Sequence, residues 1–180
     1  MRAGKGSAGT GSAVSAGPDR ESAAHGAAAG ERVLRTLSPA ECFGLLELGG
    51  IGRVGFAAAD GIMMLPVNFA LQGGAIIFRT APDTLLAVYA NGPVSFEVDH
   101  LDQALREGWS VLVQGHAHTV EAERDVRHLE DSTKLQPWAG GARDVYVRIA
   151  PIRISGRCIE PSWASAREPA TADVPCARTD

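Results

Sequence analysis

The segment from Val145 to Ile159 constrains the fold more than any other part of this sequence. Its apolar residues occupy odd positions as far as Ile149 and even positions from Ile152 onward. A change of phase requires one extra residue in the strand, which predicts a β-bulge at Pro151. Long, bulged strands are typical of sheets that curve and close on themselves. The segment therefore favours a small barrel over a layered α/β fold.

Five further segments have the composition and alternation of strands, and turn residues separate most of them. Helices are predicted after Ser38, where Pro39 and Glu41 complete a capping-box pattern, after Thr80, and over residues 121–134. We therefore predict a mainly β protein with a six-stranded, mostly antiparallel barrel and peripheral helices. A β-sandwich is the alternative that the pattern leaves open. The other five predicted strands are 51–57, 62–71, 75–78, 94–98 and 109–120.

The two ends of the chain contrast with this domain. Gly, Ala and Ser supply 20 of residues 1–30, and three prolines interrupt residues 161–180. Such segments cannot bury enough apolar surface to offset the entropy of ordering them. We predict a disordered segment over 1–30, a folded domain over 33–160 and a flexible tail over 161–180.

Overall composition argues against several classes of protein. The formal net charge is −4, which gives no general reason to expect nucleic acid or an anionic membrane as partner. No apolar run reaches membrane-spanning length. The three cysteines are odd in number and lack metal-like spacing, so we expect reduced thiols. These features indicate a soluble, cytoplasmic protein.

The stretch from Ala75 to Pro93 contains a candidate anion site. A short buried strand ends at Arg79 and Thr80, and Pro82 is placed to start a helix almost at once. A guanidinium, a hydroxyl and the free N–H groups of a helix start can together hold an anion. The alternative interpretation is that Arg79 is a surface charge at a strand end.

The strand over 62–71 has one unusual face. Pro66 and Asn68 alternate with a regular apolar series on the opposite face. Proline cannot donate to a strand ladder, so it favours an edge or a bulge. We interpret this face either as the lining of a site or as a plain edge strand.

Recognisable catalytic patterns are absent from the sequence. His116 and His118 share a strand face, but no third ligand has convincing spacing, so no metal site is predicted. No nucleophile elbow, phosphate-binding loop or dinucleotide fingerprint is present either. An enzyme built on this chain would need a cofactor to supply the reactivity.

Four sequence blocks resemble the pyridoxamine 5'-phosphate oxidase-like FMN-binding split-barrel flavoproteins, in particular an actinobacterial branch related to nitroimidazole reductases. The similarity covers Leu37 to Ile159. It implies a six-stranded antiparallel split β-barrel that forms a homodimer and binds FMN at the subunit interface. The blocks are LSPAECFGLLELGGIGRVGF, LPVNFALQGGAIIFRTAPDT, GPVSFEVD and GWSVLVQGHA.

The resemblance also implies which residues bind the cofactor. Arg79, Thr80 and Thr84 match positions that hold the FMN phosphate, in agreement with the anion site inferred from the sequence itself. Residues 66–68 match a strand that runs along the isoalloxazine ring, and residues 109–110 match the start of another strand near the flavin. The full predicted set is Pro66, Val67, Asn68, Phe78, Arg79, Thr80, Thr84, Trp109 and Ser110.

Leu85 departs from the family pattern, because relatives commonly have Lys or Arg in the first turn of this helix. One cationic phosphate ligand is therefore missing. A charge-assisted hydrogen bond contributes about 1.5–3 kcal/mol, so its loss would weaken FMN binding by about ten- to a hundredfold. The deazaflavin F420 and haem remain alternative cofactors.

Two main functional hypotheses follow. The first is an FMN-dependent oxidoreductase that acts on a small, planar molecule, with no residue assigned as acid or base. The second is a non-catalytic protein that binds or senses a flavin, a deazaflavin or haem on the same barrel. A structural dimer with a vacant site is a third possibility, favoured by Leu85.

Overall fold

The computed structural model describes residues 31–89, 91–133, 135, 138 and 140–164. The predicted N-terminal segment lies outside these residues, as does most of the predicted tail, and the domain boundaries stay a prediction. Ten elements follow one another along the described chain: β1 Arg32–Leu37, α1 Pro39–Glu47, β2 Gly50–Ala58, β3 Gly61–Gln72, β4 Ala75–Thr80, α2 Leu85–Tyr89, β5 Gly92–Asp102, β6 Glu107–Thr119, α3 Glu123–Ser132 and β7 Val145–Pro161.

The strands form one antiparallel sheet that closes on itself. Its order is β1-β7-β4-β3-β2-β5-β6, and β6 also pairs with β7. Six strands, β2 to β7, therefore complete a barrel, which confirms the predicted mainly β class and six-stranded barrel. The join between β2 and β5 is short, with pairing only from Arg53–Glu97 to Gly55–Ser95.

The seventh strand, β1, is absent from the sequence prediction. It pairs with the second half of β7, from Arg32–Pro161 to Leu37–Gly156, whereas β4 pairs with the first half. β7 is long enough to bind two different strands along one edge. The predicted tail boundary at Pro161 accordingly falls on the last residue of β7, which pairs with Arg32.

β7 contains the predicted irregularity, displaced by one residue. Gly115 of β6 pairs with Pro151 and Gln114 pairs with Arg153, so Ile152 is the extra residue. The side chain of Ile152 is 74% exposed, while the residues on either side of the bulge return to alternating burial. The register shift reverses which positions face the core, as the change of phase predicted.

The start of α2 differs from the prediction. Pro82 and Asp83 lie in a turn, and the helix begins only at Leu85. The hydroxyl of Thr84 accepts a hydrogen bond from the Ala87 N–H at 3.3 Å, so Thr84 caps this helix of five residues. The expected capping box of α1 is confirmed, since Ser38 and Glu41 exchange side chain–backbone hydrogen bonds.

β4 is buried on both faces because two apolar clusters meet on it. Ile76 and Phe78 face the barrel core, while Ala75 and Ile77 face a smaller cluster with Leu129 of α3. This explains why β4 reads as a continuous apolar run in the sequence. Arg79 lies on the same face of β4 as Ala75 and Ile77, and Thr80 lies on the same face as Ile76 and Phe78. The two predicted ligands therefore lie on opposite faces of the strand.

Two remaining predictions concern thiols and membranes. Cys42 is a buried, free thiol, but Cys158 is disulfide-bonded, so the expectation of reduced thiols is wrong for Cys158. No helix in the described ranges is long and apolar enough to span a bilayer.

Candidate functional site

A cleft opens where β3 and β4 separate. The ladder between these strands ends at the pair Phe69–Phe78. The next residues, Asn68 and Arg79, therefore lie at the point where the strands diverge. Pro66 pairs with Arg53 of β2 and lies beyond the end of the β3–β4 ladder. Its missing N–H therefore costs no hydrogen bond between β3 and β4.

The cleft has a volume of about 260 Å³ and combines polar and apolar walls. Small-molecule sites commonly enclose about 300–1,000 Å³, so one chain encloses less than most complete sites do. Five of the nine predicted cofactor ligands contribute to it. The lining residues are Ile51, Pro66, Val67, Asn68, Arg79, Thr80, Leu86, Trp138 and Arg143.

Arg79 is held in a fixed orientation at the floor of the cleft. Its Nε donates to the carbonyl of Arg143 at 2.7 Å, and its guanidinium lies 5.0 Å from the ring centre of Tyr146. Its Nη2 is also 3.5 Å from a carboxylate oxygen of Asp144, a side chain that is 78% exposed. An exposed acid is strongly solvated and neutralises Arg79 only weakly. Arg79 therefore keeps much of its positive charge for an anionic ligand.

Tyr146 provides a stable support for this guanidinium. It is almost fully buried, and it pairs with Arg79 across the β4–β7 ladder. Burial raises the pKa of Tyr146, Glu130 and Asp144 act in the same direction, and Arg79 opposes them. The phenol is neutral at physiological pH, and its ring face attracts the cation.

Thr80 and Thr84 form a local hydrogen-bond chain rather than two open ligands. The Thr84 hydroxyl donates to the Ala81 carbonyl at 2.8 Å and lies 2.7 Å from the Thr80 hydroxyl. Because Thr84 has a single hydroxyl proton, Thr80 is the donor between them. Thr80 is only 1% exposed. Its hydroxyl would have to rotate before it could donate to a phosphate.

A further wall of the cleft comes from the chain between α3 and β7, through Trp138 and Arg143. The Trp138 N–H donates to Oδ1 of Asn68 at 3.0 Å, which joins this wall to β3. The hydrogen bond from Arg79 to the Arg143 carbonyl joins it to β4. Two side chains at the floor of the cleft thus each bind the backbone of this wall.

The remaining predicted ligands lie elsewhere in the chain, apart from Thr84, which contacts the cleft through Thr80. Phe78 is buried in the barrel core and pairs with Phe69. Trp109 is 6% exposed, and its ring stacks on His100 at 6.3 Å between centroids. Ser110 pairs with Asp99 and Arg157 on the neighbouring strands. Within one chain, these three residues do not line the cleft, and their assignment to the cofactor stays a prediction.

Sequence reasoning missed four residues of the cleft: Ile51, Leu86, Trp138 and Arg143. Ile51 was predicted only as the start of a strand, and Leu86 only as part of the helix after Thr80. A large aromatic beside Gly140 and Gly141 is a usable signal, because loops rarely expose tryptophan without a partner. Its position against β3, however, depends on a contact across 70 residues of sequence.

His116 and His118 belong to no larger group of candidate metal ligands among the described residues. In the part of the chain that the structure describes, no group of three His, Cys, Asp or Glu side chains is arranged to hold a metal ion. The cleft instead offers a fixed cation, a buried hydroxyl, an apolar strand surface and an exposed indole. This set fits a ligand with a flat apolar ring at one end and an anion at the other, as in flavin nucleotides.

Comparison with known proteins agrees with the barrel. A structure from Corynebacterium glutamicum is 32% identical with a TM-score of 0.63, over 72% of this chain and 95% of that one. The FAD binding protein from Mycobacterium smegmatis is 37% identical with a TM-score of 0.61, over 69% of this chain and 97% of that one. An uncharacterized protein of Mycobacterium tuberculosis, Rv0080, is 33% identical over 122 residues, which is 64% of this chain and 79% of that protein.

The family model for pyridoxamine 5'-phosphate oxidase matches residues 38–158. That range begins at the N-cap of α1 and ends in the last strand, so it includes the cleft and five of the six barrel strands in full. The match therefore spans the segments that form the cleft and is not confined to one local motif. On this evidence the chain belongs to the pyridoxamine 5'-phosphate oxidase family.

Proposed function

We propose that this protein is a flavin-dependent oxidoreductase that binds FMN in the cleft between β3 and β4. The observation that carries the proposal is that Arg79 and the Pro66–Asn68 strand surface line one cleft where β3 and β4 diverge. The similar M. smegmatis protein is named as FAD-binding, which supports a flavin ligand. FMN and FAD share the isoalloxazine ring and the phosphate to which these two features would correspond.

Each part of the cleft has a separate role in this proposal. Arg79 holds the phosphate with charge-assisted hydrogen bonds, and the Tyr146 ring and the Arg143 carbonyl keep its guanidinium in place. Thr80 and Thr84 fix the turn that precedes α2. The bound flavin would supply hydride and electron transfer, while the protein orients the ring and limits access of water. No side chain is assigned as acid or base.

A second copy of the chain would complete the site. The small volume of the cleft leaves part of a flavin uncovered. The outer surface of β2, β3 and β7 also exposes apolar side chains around a groove, among them Ile62 at 84%, Met64 at 61% and Ile152 at 74%. Apolar surface of this kind on a soluble barrel favours association. We therefore include a homodimer in the proposal.

The absorption spectrum of the protein, purified without added cofactor, tests the ligand class. Flavin bands are expected. A deazaflavin band or a haem Soret band would instead identify one of the alternative cofactors. Turnover of a reductant by the flavin-loaded protein separates an oxidoreductase from a non-catalytic binding protein. A protein that takes up none of these cofactors, even when they are supplied in excess, would refute the proposal.

Substitutions at two positions test the phosphate site. Arg79→Ala should weaken the binding of FMN by about ten- to a hundredfold, which corresponds to the loss of one charge-assisted interaction of about 1.5–3 kcal/mol. Leu85 is 46% exposed at the start of α2, so Leu85→Lys can add a cation there without disturbing the core. This substitution should increase the affinity for FMN, and added salt should reduce the increase. Both effects should be much smaller for riboflavin, which has no phosphate.

Matched controls separate local from general electrostatics. Arg127→Ala removes an exposed arginine of α3 that pairs with Glu123, and it should leave FMN affinity unchanged. Val88→Lys adds the same charge to an exposed position later in α2, and it should have less effect than Leu85→Lys. Equal effects on riboflavin and FMN, or equal effects of the control variants, would mean that the phosphate binds elsewhere.

A further inference from the structure

Trp138 is an unusual residue on the surface of this chain. Its side chain is 78% exposed, whereas Trp109 is only 6% exposed. Trp138 also lies at the edge of the cleft, together with the exposed Pro66 and Ile51. An indole left in water at the rim of an apolar cleft provides a flat surface on which a planar ring can stack.

The backbone of Trp138 is fixed although its ring is exposed. Its N–H donates to Oδ1 of Asn68 at 3.0 Å, and Asn68 belongs to the regular strand β3. Five residues later, the carbonyl of Arg143 accepts from Arg79 at 2.7 Å. These two hydrogen bonds hold the backbone of Trp138 and that of Arg143 against the barrel. The backbone that carries the indole is therefore in place before any ligand arrives, which lowers the entropic cost of stacking.

Asn68 has a role in this arrangement that the sequence alone did not suggest. The sequence resemblance assigns Asn68 to the flavin ring directly. In the structure, its Oδ1 binds the backbone of Trp138 instead. An amide whose acceptor is engaged in this way affects a ligand mainly through the residue that it holds.

We propose that Trp138 stacks on the planar ring of the ligand and determines specificity for it, and that Asn68 is the positioning residue that holds Trp138 in place. The inference rests on the proposed function, because it concerns the same cleft. It adds that selectivity for a flat ring comes from the chain between α3 and β7. Arg79, at the floor, then selects the anionic end.

Binding of lumiflavin tests the role of Trp138. Lumiflavin contains the isoalloxazine ring but no phosphate, so its affinity reports ring contacts without the charge interaction between Arg79 and a phosphate. Stacking of a base on an aromatic side chain is lost on substitution by alanine with a cost of severalfold to about a hundredfold. Trp138→Ala should therefore weaken lumiflavin by about tenfold or more, and Trp138→Phe by no more than about threefold. Trp163→Phe, at an exposed tryptophan outside the cleft, is the control and should change nothing.

A spectroscopic signature accompanies the change in affinity. A flavin stacked on tryptophan loses most of its fluorescence, because the indole donates an electron to the excited ring. At saturation, lumiflavin should be strongly quenched by the wild-type protein. It should be quenched much less by Trp138→Ala, and a purely structural effect of the substitution would not produce this difference.

The role of Asn68 is tested by comparing a variant that keeps a hydrogen-bond acceptor for the Trp138 N–H with one that removes it. Asn68→Asp keeps an oxygen for the Trp138 N–H, so lumiflavin should bind about as tightly as to the wild-type protein. FMN should bind more weakly, because the new carboxylate repels its phosphate. Asn68→Ala removes the acceptor and should weaken lumiflavin several-fold. When combined with Trp138→Ala it should add almost nothing, because both changes remove the same contact.

The outcomes separate this inference from the proposed function. Tight lumiflavin binding and full quenching by Trp138→Ala, with FMN still bound through Arg79, would overturn the inference and leave the proposed function standing. Losses from Asn68→Ala and Trp138→Ala that add fully would overturn the positioning role of Asn68. A wild-type protein that binds neither lumiflavin nor FMN would overturn both the inference and the proposed function.

Discussion

Gly52 of β2 occupies a position in which the structure leaves no room for a side chain. A Cβ at this residue would lie 2.6 Å from Cε2 of Phe96 and closer still to Cζ. Phe96 is completely buried, and its ring meets that of Phe69 edge to face, with 4.9 Å between the centroids. Neither ring can move outward into solvent. Gly52→Ala must therefore shift the backbone of β2 or force Phe96 away from its preferred rotamer.

The expected cost follows from the size of this overlap. Adding a methyl group to a well-packed core costs about 1–3 kcal/mol, and an overlap with two ring atoms belongs in the upper half of that range. Gly55 lies on the same strand and offers a matched control. A Cβ there would meet its nearest atom at 3.7 Å, an ordinary contact. Gly55→Ala should change the free energy of unfolding by less than about 0.5 kcal/mol.

Urea unfolding, followed by tryptophan fluorescence at one fixed protein concentration, measures both variants, because a dimer would make stability depend on concentration. Phe96→Leu should be destabilising alone, since it leaves space beside Phe69. In the double variant the new methyl group enters that space. The loss should be smaller than the sum of the single losses by about 1 kcal/mol or more. A Gly52→Ala protein as stable as Gly55→Ala, or strictly additive losses, would refute this account of packing.

Further tests concern the first helix and the assembly. Burial acts to raise the pKa of Glu41, but hydrogen bonds from the Ser38 N–H and hydroxyl and from Arg35 together outweigh it, so the pKa is lowered. A lowered pKa stabilises the fold above the ordinary value of 4.5, and this contribution disappears as the pH falls below it. In Glu41→Gln the free energy of unfolding should therefore depend less on pH below about 4.5. Ser38→Ala should lower the free energy of unfolding by about 1 kcal/mol at neutral pH. Sedimentation should show a dimer at micromolar concentration, and Met64→Asp on the exposed face should shift it towards monomer; a wild-type monomer with flavin bound would contradict the shared site.

Periodicity predicted most strands because burial of alternate residues is a local property of each segment. It could not predict β1, because this strand is short and half of its residues are polar. Arg32–Leu37 forms a strand by pairing with the distant end of β7. The start of α2 was wrong for a related reason. Pro82 suits a first helical position, but the Thr84 hydroxyl supplies the cap that this short helix uses. Both differences come from contacts that a local pattern does not contain.

The residues of the cleft differ in the same way, because some could be predicted from local sequence and others depend on long-range contacts. Pro66, Asn68 and Arg79 could be singled out because each differs from the apolar pattern of its strand, Pro66 and Asn68 in the middle of β3 and Arg79 near the end of β4. Trp138 and Arg143 lie in a segment without periodicity. They reach the cleft through hydrogen bonds to Asn68 and Arg79, across 70 and 64 residues of sequence. The floor of the site was therefore predictable and its wall was not.

The two hydrogen bonds that build the wall also change how substitutions in the floor should be interpreted. Arg79 provides a charge to the cleft and, through Nε, an anchor for the Arg143 carbonyl. Arg79→Ala removes both, so its effect on FMN includes the cost of a loosened wall. Arg79→Lys keeps the charge but lacks the planar fork that can bind a carbonyl and a phosphate at the same time. A lysine that restores FMN affinity but leaves lumiflavin weakened would show that the anchor serves the ring through the wall, while the charge serves the phosphate.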